Sequence, residues 1–536
     1  MLFSLFESFT LSVRTAPKQV ILPSMIESFQ PAHADYLRDE SRRAGRAERI
    51  AFPRTAADVL DALAEARAHR MPVTAQGART GVTGGAVPEG GLVLNLSHMD
   101  QILAAGNAEM RVQPGATLAA IRAAVPPGFY FAPDPTEPSA SIGGMISCNS
   151  SGALSFLHGP TRNHILGLRV ATLAGEILDL RRGRDRTDGL RFALGSLSGE
   201  LPPLRRPAVK NAAGYFIDPD MDLVDLFVGS EGTLGVVVEA TLRLLPAPGA
   251  VWGLMAFLPS TAAVVGFVDA LRANQRSEVG IPPTTYHQPP TAPRLAALEY
   301  FDSNCLVFLR EHADELASKG ISVPALPDGS ACVYAEWHAP DAAAAEAALL
   351  AAAERLPEFG ADPDACILAD NFHDLEKLKL FRHSAPEMVN SAIDERRKIH
   401  PGLVKLGTDM SVPDARLADV LALYETDLAA TDLEHLIFGH IGANHLHVNI
   451  LPRHPADYAA GRALYARWAA QIIAWGGSIS AEHGIGKLKR DLFRQMAGDP
   501  ALAQMRELKL QFDPDWLLNP GTLLESAQAN ENVWTG

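Results

Sequence analysis

A chain of 536 residues is longer than one compact core normally fills, so two or three domains are expected. Hydrophobic residues make up 47% and charged residues 20%, a composition that excludes a disordered chain. The formal net charge of -15 argues against non-specific nucleic-acid binding, which needs a basic footprint, but leaves room for a local basic pocket around a small anion.

In chain order, Leu2, Leu5, Phe6 and Phe9 stand at helical spacing within an N-terminal extension, residues 1–45. The basic n-region and long apolar core of a signal peptide are absent, so a fraying tail or a surface helix is expected. A peripheral contact with the inner face of a membrane is the less favoured reading, because basic residues are sparse there. Residues 46–248 form a glycine-rich domain of alternating strands and helices. Ile50–Pro53 reads as a strand and Thr55–Arg70 as an amphipathic helix with Val59, Leu60, Leu63 and Ala66 on its apolar stripe. Val73–Ala75 and Leu92–Leu96 read as further strands. Residues 185–208, polar and Arg-rich, read as a surface excursion.

A second domain, residues 249–500, mixes strands such as Val251–Leu258 and Cys332–Trp337 with helices such as Pro340–Leu356. The longest uncharged run, Ala250–Val268, is interrupted by Pro259-Ser260-Thr261, so a strand and a capped helix are expected instead of a membrane span. Residues 368–400 read as one or two charged helices. A short helix and the turn Asn519-Pro520-Gly521 close a C-terminal segment, residues 501–536. Cys148, Cys305, Cys332 and Cys366 are far apart, which excludes an iron–sulfur module and suits a reducing, cytoplasmic setting.

Three glycine-rich segments carry the first chemical signal. Gln76-Gly77-Ala78-Arg79-Thr80-Gly81-Val82-Thr83-Gly84-Gly85 directly follows a strand. Glycines let backbone approach a ligand, and successive free N–H groups form an anion-binding nest suited to a diphosphate. The spacing matches neither a Walker loop nor a Rossmann fingerprint. The second segment is Pro133-Asp134-Pro135-Thr136 followed by Ala140–Gly152, and the third is Gly229–Val236. Both are small-residue runs able to line a flat ligand.

With Val112-Gln113-Pro114-Gly115 and Lys210-Asn211-Ala212-Ala213-Gly214-Tyr215, these segments resemble the FAD-binding domain of the vanillyl-alcohol oxidase and p-cresol methylhydroxylase superfamily over roughly residues 46–248. The resemblance implies an α+β fold: a two-subdomain FAD-binding domain, plus an antiparallel-sheet-and-helix cap domain to which the C-terminal segment adds a return to the flavin. It implies that Gln76, Gly77, Ala78, Arg79, Thr80, Gly81, Thr83 and Gly84 hold the diphosphate. Pro133, Thr136, Ser141, Gly143, Gly144, Asn149 and Ser151 would lie along the ribityl chain and the isoalloxazine ring. Glu231, Gly235, Val236 and Asn519 complete the expected FAD contacts. The first loop has no His, so the flavin is expected to be non-covalent.

The histidine-rich stretch Gly439–Asn449 carries the second signal. Leu446–Leu451 reads as a strand, so His445, His447 and Asn449 share one face. His440 precedes a Gly442–Asn444 loop that folds it back toward His447. Glu482-His483 follows, with Gly484 and Gly486 able to bend the chain. Two imidazoles and one carboxylate make a plausible site for Zn²⁺, Fe²⁺ or Mn²⁺ with open positions.

This half resembles the C-terminal domain of the FAD-linked D-lactate, glycolate and D-2-hydroxyglutarate dehydrogenases, whose closing signature is also present as Phe512-Asp513-Pro514 and Leu518-Asn519-Pro520-Gly521. The resemblance implies a divalent metal on His440, His447 and Glu482, His483 as general base, and Asn449 on the substrate. Leu380-Phe381-Arg382-His383 resembles the family's Trp-x-x-Arg-Glu, placing Arg382 on the substrate carboxylate. The strand Lys405–Pro413 resembles one that often carries Lys two residues before the Asp; here that position is Gly407, with Lys405 on the same face. The metal loop also departs, with Ala443-Asn444-His445 where Asp-Gly-Asn is usual, and His445 becomes an extra candidate ligand or substrate contact. Lys487 and Arg490 read as helix surface.

The implied activity is FAD-dependent oxidation of a small D-2-hydroxy acid, D-lactate first, to the 2-keto acid. The implied electron acceptor is a quinone, a cytochrome or an electron-transfer flavoprotein, not NAD. Glycolate or D-2-hydroxyglutarate is an alternative substrate. A flavin-carrying subunit of a larger redox complex is an alternative role, and a homodimer is compatible with the composition.

Overall fold

A computed structural model of the chain describes residues 25–273 and 289–525. The surface helix expected around Leu2–Phe9 lies outside these residues. Two larger sheets build the flavin half. In the first, strands run in the order Ile26–Ser28, Arg49–Ala51, Leu92–Asn95, Val73–Gln76. The last three are mutually parallel. Parallel neighbours need a crossover, and helix Ala56–Ala68 provides it. Thr55 and Asp58 cap that helix reciprocally, and Val59, Ala62, Leu63 and Ala66 are its buried stripe. Leu60, expected on the stripe, is only half-buried, because the apolar face is turned toward Ala62.

The second sheet is antiparallel, ordered Ile102–Ala105, Glu109–Val112, Val236–Arg243, Ile165–Ala171, Ile177–Arg181. Its central strand Val236–Arg243 is buried along its full length. The excursion at 185–208 contains a small hairpin, Arg191–Leu194 with Leu197–Glu200.

The cap domain is an antiparallel sheet ordered Ile367–Ala369, Ala250–Leu258, Ala331–Ala339, Arg294–Phe301, His435–His440, His445–Ile450, Leu406–Gly407, with Met410–Ser411 also paired to His445–Ile450. Helices pack on it, including Thr261–Ala273 after the broken apolar run. Residues 368–400 hold a single helix, Phe372–Arg397, opened by Asn371, whose side chain accepts from the Asp374 amide.

The closing helix is longer than the short one expected. The helix spans Arg490–Phe512 and kinks at Gly498, whose φ of 78° breaks the helical path; Pro500 then falls in the first turn of the second half, where its missing N–H costs little. After it the chain returns to the flavin half: Leu517 O accepts from Val73 N–H at 2.7 Å and Asn519 N–H donates to Val73 O at 2.7 Å. Among the described residues no helix is long and apolar enough to cross a membrane.

Candidate functional site

Two adjacent cap strands gather the histidines. His435–His440 pairs with His445–Ile450 so that His440 faces His445 and Phe438 faces His447. The loop between them closes on Asn444 at φ 50°, the left-handed conformation that a short polar side chain tolerates. Asn444 Oδ1 accepts from Arg272 Nη1 at 2.8 Å and its Nδ2 donates to Asp414 Oδ1 at 2.6 Å, which fixes the loop without the usual Asp-Gly pair. Gly439 makes room for the second imidazole: a Cβ there would sit 2.9 Å from His447 Cδ2.

Glu482 enters from a bend. His440 Nε2 lies 3.3 Å from Glu482 Oε2, and His447 Nε2 lies 3.3 Å from Oε1. The outer nitrogens are tied down: His440 Nδ1 donates to Glu299 Oε1 at 2.7 Å, and His447 Nδ1 to Thr408 O at 2.7 Å. Such outer bonds turn the inner nitrogens toward Glu482, the orientation of metal-ligating histidine. The ligand atoms of His440, His445, His447 and Glu482 lie within 4.8 Å of one another. This donor set fits a divalent cation such as Zn²⁺, Fe²⁺ or Mn²⁺.

The charges around it are strongly coupled. Burial works against a charged His440, but the Glu299 carboxylate outweighs it and raises the imidazole to about 9. Burial alone would raise Glu482, yet Lys210 and His440 hold it well below the usual carboxylate range. Asp409 behaves likewise, held low by Lys489 and His483 against the cost of its burial.

His483 is the most open member, with 37% of its side chain exposed. Its Nδ1 lies 3.3 Å from Asp409 Oδ2 and its Nε2 lies 3.7 Å from Glu482 Oε1. A carboxylate behind one nitrogen and an accessible second nitrogen are what an oriented general base requires. Asp409 also accepts from the His483 amide at 3.2 Å, and from Ser480 Oγ and Lys489 Nζ, so ring and backbone are positioned together.

The bend after His483 is held by the flavin half. Glu231 accepts from Ile485 N–H at 2.8 Å and from Gly486 N–H at 2.7 Å. Burial pushes its acid up to about 7 even so. Gly486, at φ 54°, lies where a Cβ would meet Thr83 O at 2.2 Å, and Thr83 Oγ1 donates to His483 O at 3.3 Å. The first glycine loop therefore touches the main chain of His483.

The three flavin segments converge. Ala78 N–H donates to Ser141 Oγ at 3.2 Å, and a Cβ on Gly77 would fall 1.9 Å from that oxygen. A Cβ on Gly143 would meet Pro114 at 2.8 Å, and one on Gly152 would meet Asp134 O at 2.2 Å. Asn149, at φ 50°, ends the Ile142–Cys148 helix, and Glu231 N–H donates to Ser147 O at 2.9 Å. Asn519 Nδ2 donates to Glu231 O at 2.7 Å while its Oδ1 accepts from Ala75 N–H. Gly235 has no space for a Cβ against Val170, and Val236 begins the central strand. From Arg79 to Gly85 no main-chain N–H is hydrogen-bonded to a described residue, whereas a Cβ on Gly81 would meet nothing within 4 Å. Free amides beside open space fit a flavin diphosphate.

Arg382 projects from the middle of helix Phe372–Arg397 and is buried. Its Nη1 lies 3.8 Å from Glu299 Oε2, its Nη2 donates to His383 Nε2 at 2.7 Å, and its Nε has no hydrogen-bond partner. Burial and the adjacent guanidinium push His383 down to about 3, so it accepts as a neutral ring. A buried, incompletely satisfied guanidinium fits an absent anion. Asn449 is buried on the same sheet face as His447, 3.1 Å from where a Cβ on Gly407 would stand.

Lys405 is not brought to this cluster; burial lowers its amine to about 8, and the charges acting on it are Arg42 and Glu40. Lys487, expected on a helix surface, is instead buried: it precedes the helix and docks on the first loop, its Nζ donating to Thr522 Oγ1 at 2.9 Å and Gly84 O at 3.4 Å. Arg490 pairs with Glu525 at 3.3 Å.

Four site residues escaped sequence reasoning. Lys210 Nζ donates to Glu482 Oε2 at 2.8 Å and approaches His445 Nδ1 at 3.3 Å. Glu299, Asp409 and Lys489 complete the network. A carboxylate inside the apolar run Leu295–Phe301 was a signal for Glu299, since such a group is rarely buried unpaired. Lys210 had been placed only with the flavin domain.

Comparison with known proteins now bears on this site. Residues 47–181 match the FAD binding domain family, and residues 290–523 the C-terminal domain family of FAD linked oxidases. A D-2-hydroxyglutarate dehydrogenase of Xanthomonas citri pv. viticola is 32% identical over 529 residues, covering 97% of this chain and 98% of that protein. A probable mitochondrial D-lactate dehydrogenase of Danio rerio is 29% identical, covering 92% and 88% respectively. Glycolate oxidase subunit GlcD of Bacillus subtilis is 28% identical, covering 88% of each. Among solved structures, an alkyldihydroxyacetonephosphate synthase superposes over 94% of this chain and 83% of its own at a TM-score of 0.62 and 14% identity, which shows the shared fold. The chain therefore belongs to the FAD-linked oxidase family of vanillyl-alcohol-oxidase type that contains the D-2-hydroxyglutarate, D-lactate and glycolate dehydrogenases.

Proposed function

We propose that the protein oxidises a small D-2-hydroxy acid, D-lactate foremost, to the corresponding 2-keto acid. The observation that carries this reading is the oriented base: His483, backed by Asp409, stands between the Glu482 cluster and the Thr83 flavin loop. Arg382 takes the substrate carboxylate with its unsatisfied Nε side, and Asn449 donates to the substrate from the neighbouring strand. His483 Nε2 accepts the 2-hydroxyl proton, and Asp409 stabilises the imidazolium that results. The Cα–H bond breaks with both its electrons leaving the substrate, and the C–O bond becomes the keto group. When bound, FAD supplies the two-electron acceptor, and a divalent metal on His440, His447 and Glu482 supplies Lewis acidity toward the 2-hydroxyl.

A monocarboxylate is favoured because Gly407 stands where relatives often carry a second cation, and Lys405 turns toward Arg42 and Glu40. The 32% identity to a D-2-hydroxyglutarate dehydrogenase favours a second reading, in which a diacid is the substrate. We assign reoxidation to a quinone, cytochrome or electron-transfer flavoprotein, at a cytoplasmic location.

Anaerobic bleaching of the flavin by D- and L-lactate, glycolate and D-2-hydroxyglutarate, before and after chelation, tests the reading. Bleaching by D-lactate that is lost with chelator and restored by metal is expected. Bleaching by D-2-hydroxyglutarate alone would transfer the assignment to the diacid. No bleaching by any of the four would overturn the proposed reaction.

A further inference from the structure

His445 stands in the metal loop where relatives carry Asn, and it is completely buried. Its Nε2 lies 3.0 Å from Asp409 Oδ1. An imidazole nitrogen this close to a carboxylate oxygen carries the proton, since two lone pairs would repel. The lone pair is then on Nδ1, which faces inward, 3.8 Å from Glu482 Oε2. His445 thereby repeats the arrangement of His440 and His447, whose outer nitrogens donate to Glu299 and Thr408.

Three inward imidazole nitrogens converge on the Glu482 carboxylate, a cluster whose ligand atoms all lie within 4.8 Å of one another. Lys210 brings a positive charge to it, its Nζ lying 2.8 Å from Glu482 Oε2 and 3.3 Å from His445 Nδ1. In tetrahedral coordination with bonds of about 2.1 Å, neighbouring ligand atoms stand roughly 3.4 Å apart. His440 Nε2 stands 3.3 Å and His445 Nδ1 3.8 Å from Glu482 Oε2, while His447 Nε2 stands 3.3 Å from Oε1, so a small turn of the carboxylate and of His445 brings one oxygen to that spacing from all three imidazoles.

We propose that His445 is a fourth protein ligand of the metal, giving a three-His, one-Glu site in which the ion displaces the Lys210 ammonium from Glu482 and His445. The proposal rests on the metal reading above. It makes this site more enclosed than one of two His and one Glu, so substrate oxygen enters as a fifth ligand.

The test uses the chelator-stripped flavoprotein titrated with Co²⁺ alone, following affinity by competition with a chromophoric chelator and coordination by the Co²⁺ visible bands. His445→Asn, which restores the usual residue, is expected to raise the dissociation constant roughly tenfold or more and to weaken the Co²⁺ bands. Lys210→Met is expected to tighten Co²⁺ binding several-fold, because the competing ammonium is gone. Wild-type affinity and bands in His445→Asn, while His440→Ala loses the ion, would overturn the fourth ligand and leave the metal reading standing. Binding insensitive to both His440→Ala and His445→Asn would overturn both. Should His445→Asn fail to fold, unchanged affinity in Lys210→Met overturns the proposal.

Discussion

His440 Nδ1 lies 2.7 Å from Glu299 Oε1. The other oxygen of the same carboxylate lies 3.8 Å from Arg382, so one buried acid orients a metal-facing imidazole and the guanidinium proposed to hold substrate. Glu299→Gln keeps the shape and removes the charge. We expect metal affinity to fall roughly 10–100-fold, measured by chelator competition, with the flavin content unchanged. An affinity equal to wild type would remove Glu299 from the site's support.

The role of His483 separates cleanly from binding. His483→Ala is expected to slow single-turnover flavin reduction by about 10²–10⁴-fold while the metal and flavin contents stay at wild-type levels. Near-normal reduction in stopped flow would exclude it as the base.

Arg382 is expected to act through carboxylate binding. Arg382→Lys retains a charge but loses the planar fork, so KM should rise roughly tenfold or more, about 1.4 kcal/mol, with a smaller change in kcat. A fall in kcat at constant KM would instead indicate an effect on the chemical step through Glu299.

Steric contact at the start of the first flavin loop predicts a loss of flavin. A Cβ on Gly77 would lie 1.9 Å from Ser141 Oγ. Gly77→Ala should purify with much less flavin, read as the ratio of flavin to protein absorbance. Wild-type flavin content would show that the segment junction is looser than the geometry requires.

Stability should weaken in mild acid. His164 is fully buried, and burial lowers its imidazole to about 3 from an ordinary value of about 6.5. The folded protein keeps it neutral, while an unfolded chain takes up a proton below about pH 6.5. The stabilising contribution is therefore present above that pH and is lost progressively as pH falls toward 3. Urea midpoints measured from pH 7 to 4 should fall less steeply in His164→Gln than in wild type. Parallel curves would assign the acid sensitivity to other groups.

Local rules were enough to read several parts of the site directly. Alternation of side chains placed His445, His447 and Asn449 on one face, and the strand His445–Ile450 keeps them there. The tolerance of Asn for a left-handed turn allowed the loop at Asn444 to close despite the unusual residues around it. The three glycine segments were visible because close backbone approach restricts a position to glycine whatever the rest of the chain does. Helix extent was less legible: a short closing helix was expected, whereas Arg490–Phe512 is helical on both sides of a break at Gly498.

What sequence determined, then, is the chemistry carried within short segments. Which distant charges meet those segments was decided by the tertiary structure alone. Lys210, Glu299 and Asp409 reach Glu482, His440 and His483 from separate strands and loops, and no local period connects them. Glu231 crosses from the flavin half to clamp the amides after His483, a contact set by domain docking. Lys405 shows the same limit from the other side: expected on a strand face, it precedes the strand Leu406–Gly407, and the charges that act on it, Arg42 and Glu40, come from a segment that only the fold brings near. Electrostatic partners are chosen by proximity in three dimensions, and burial then fixes their strength.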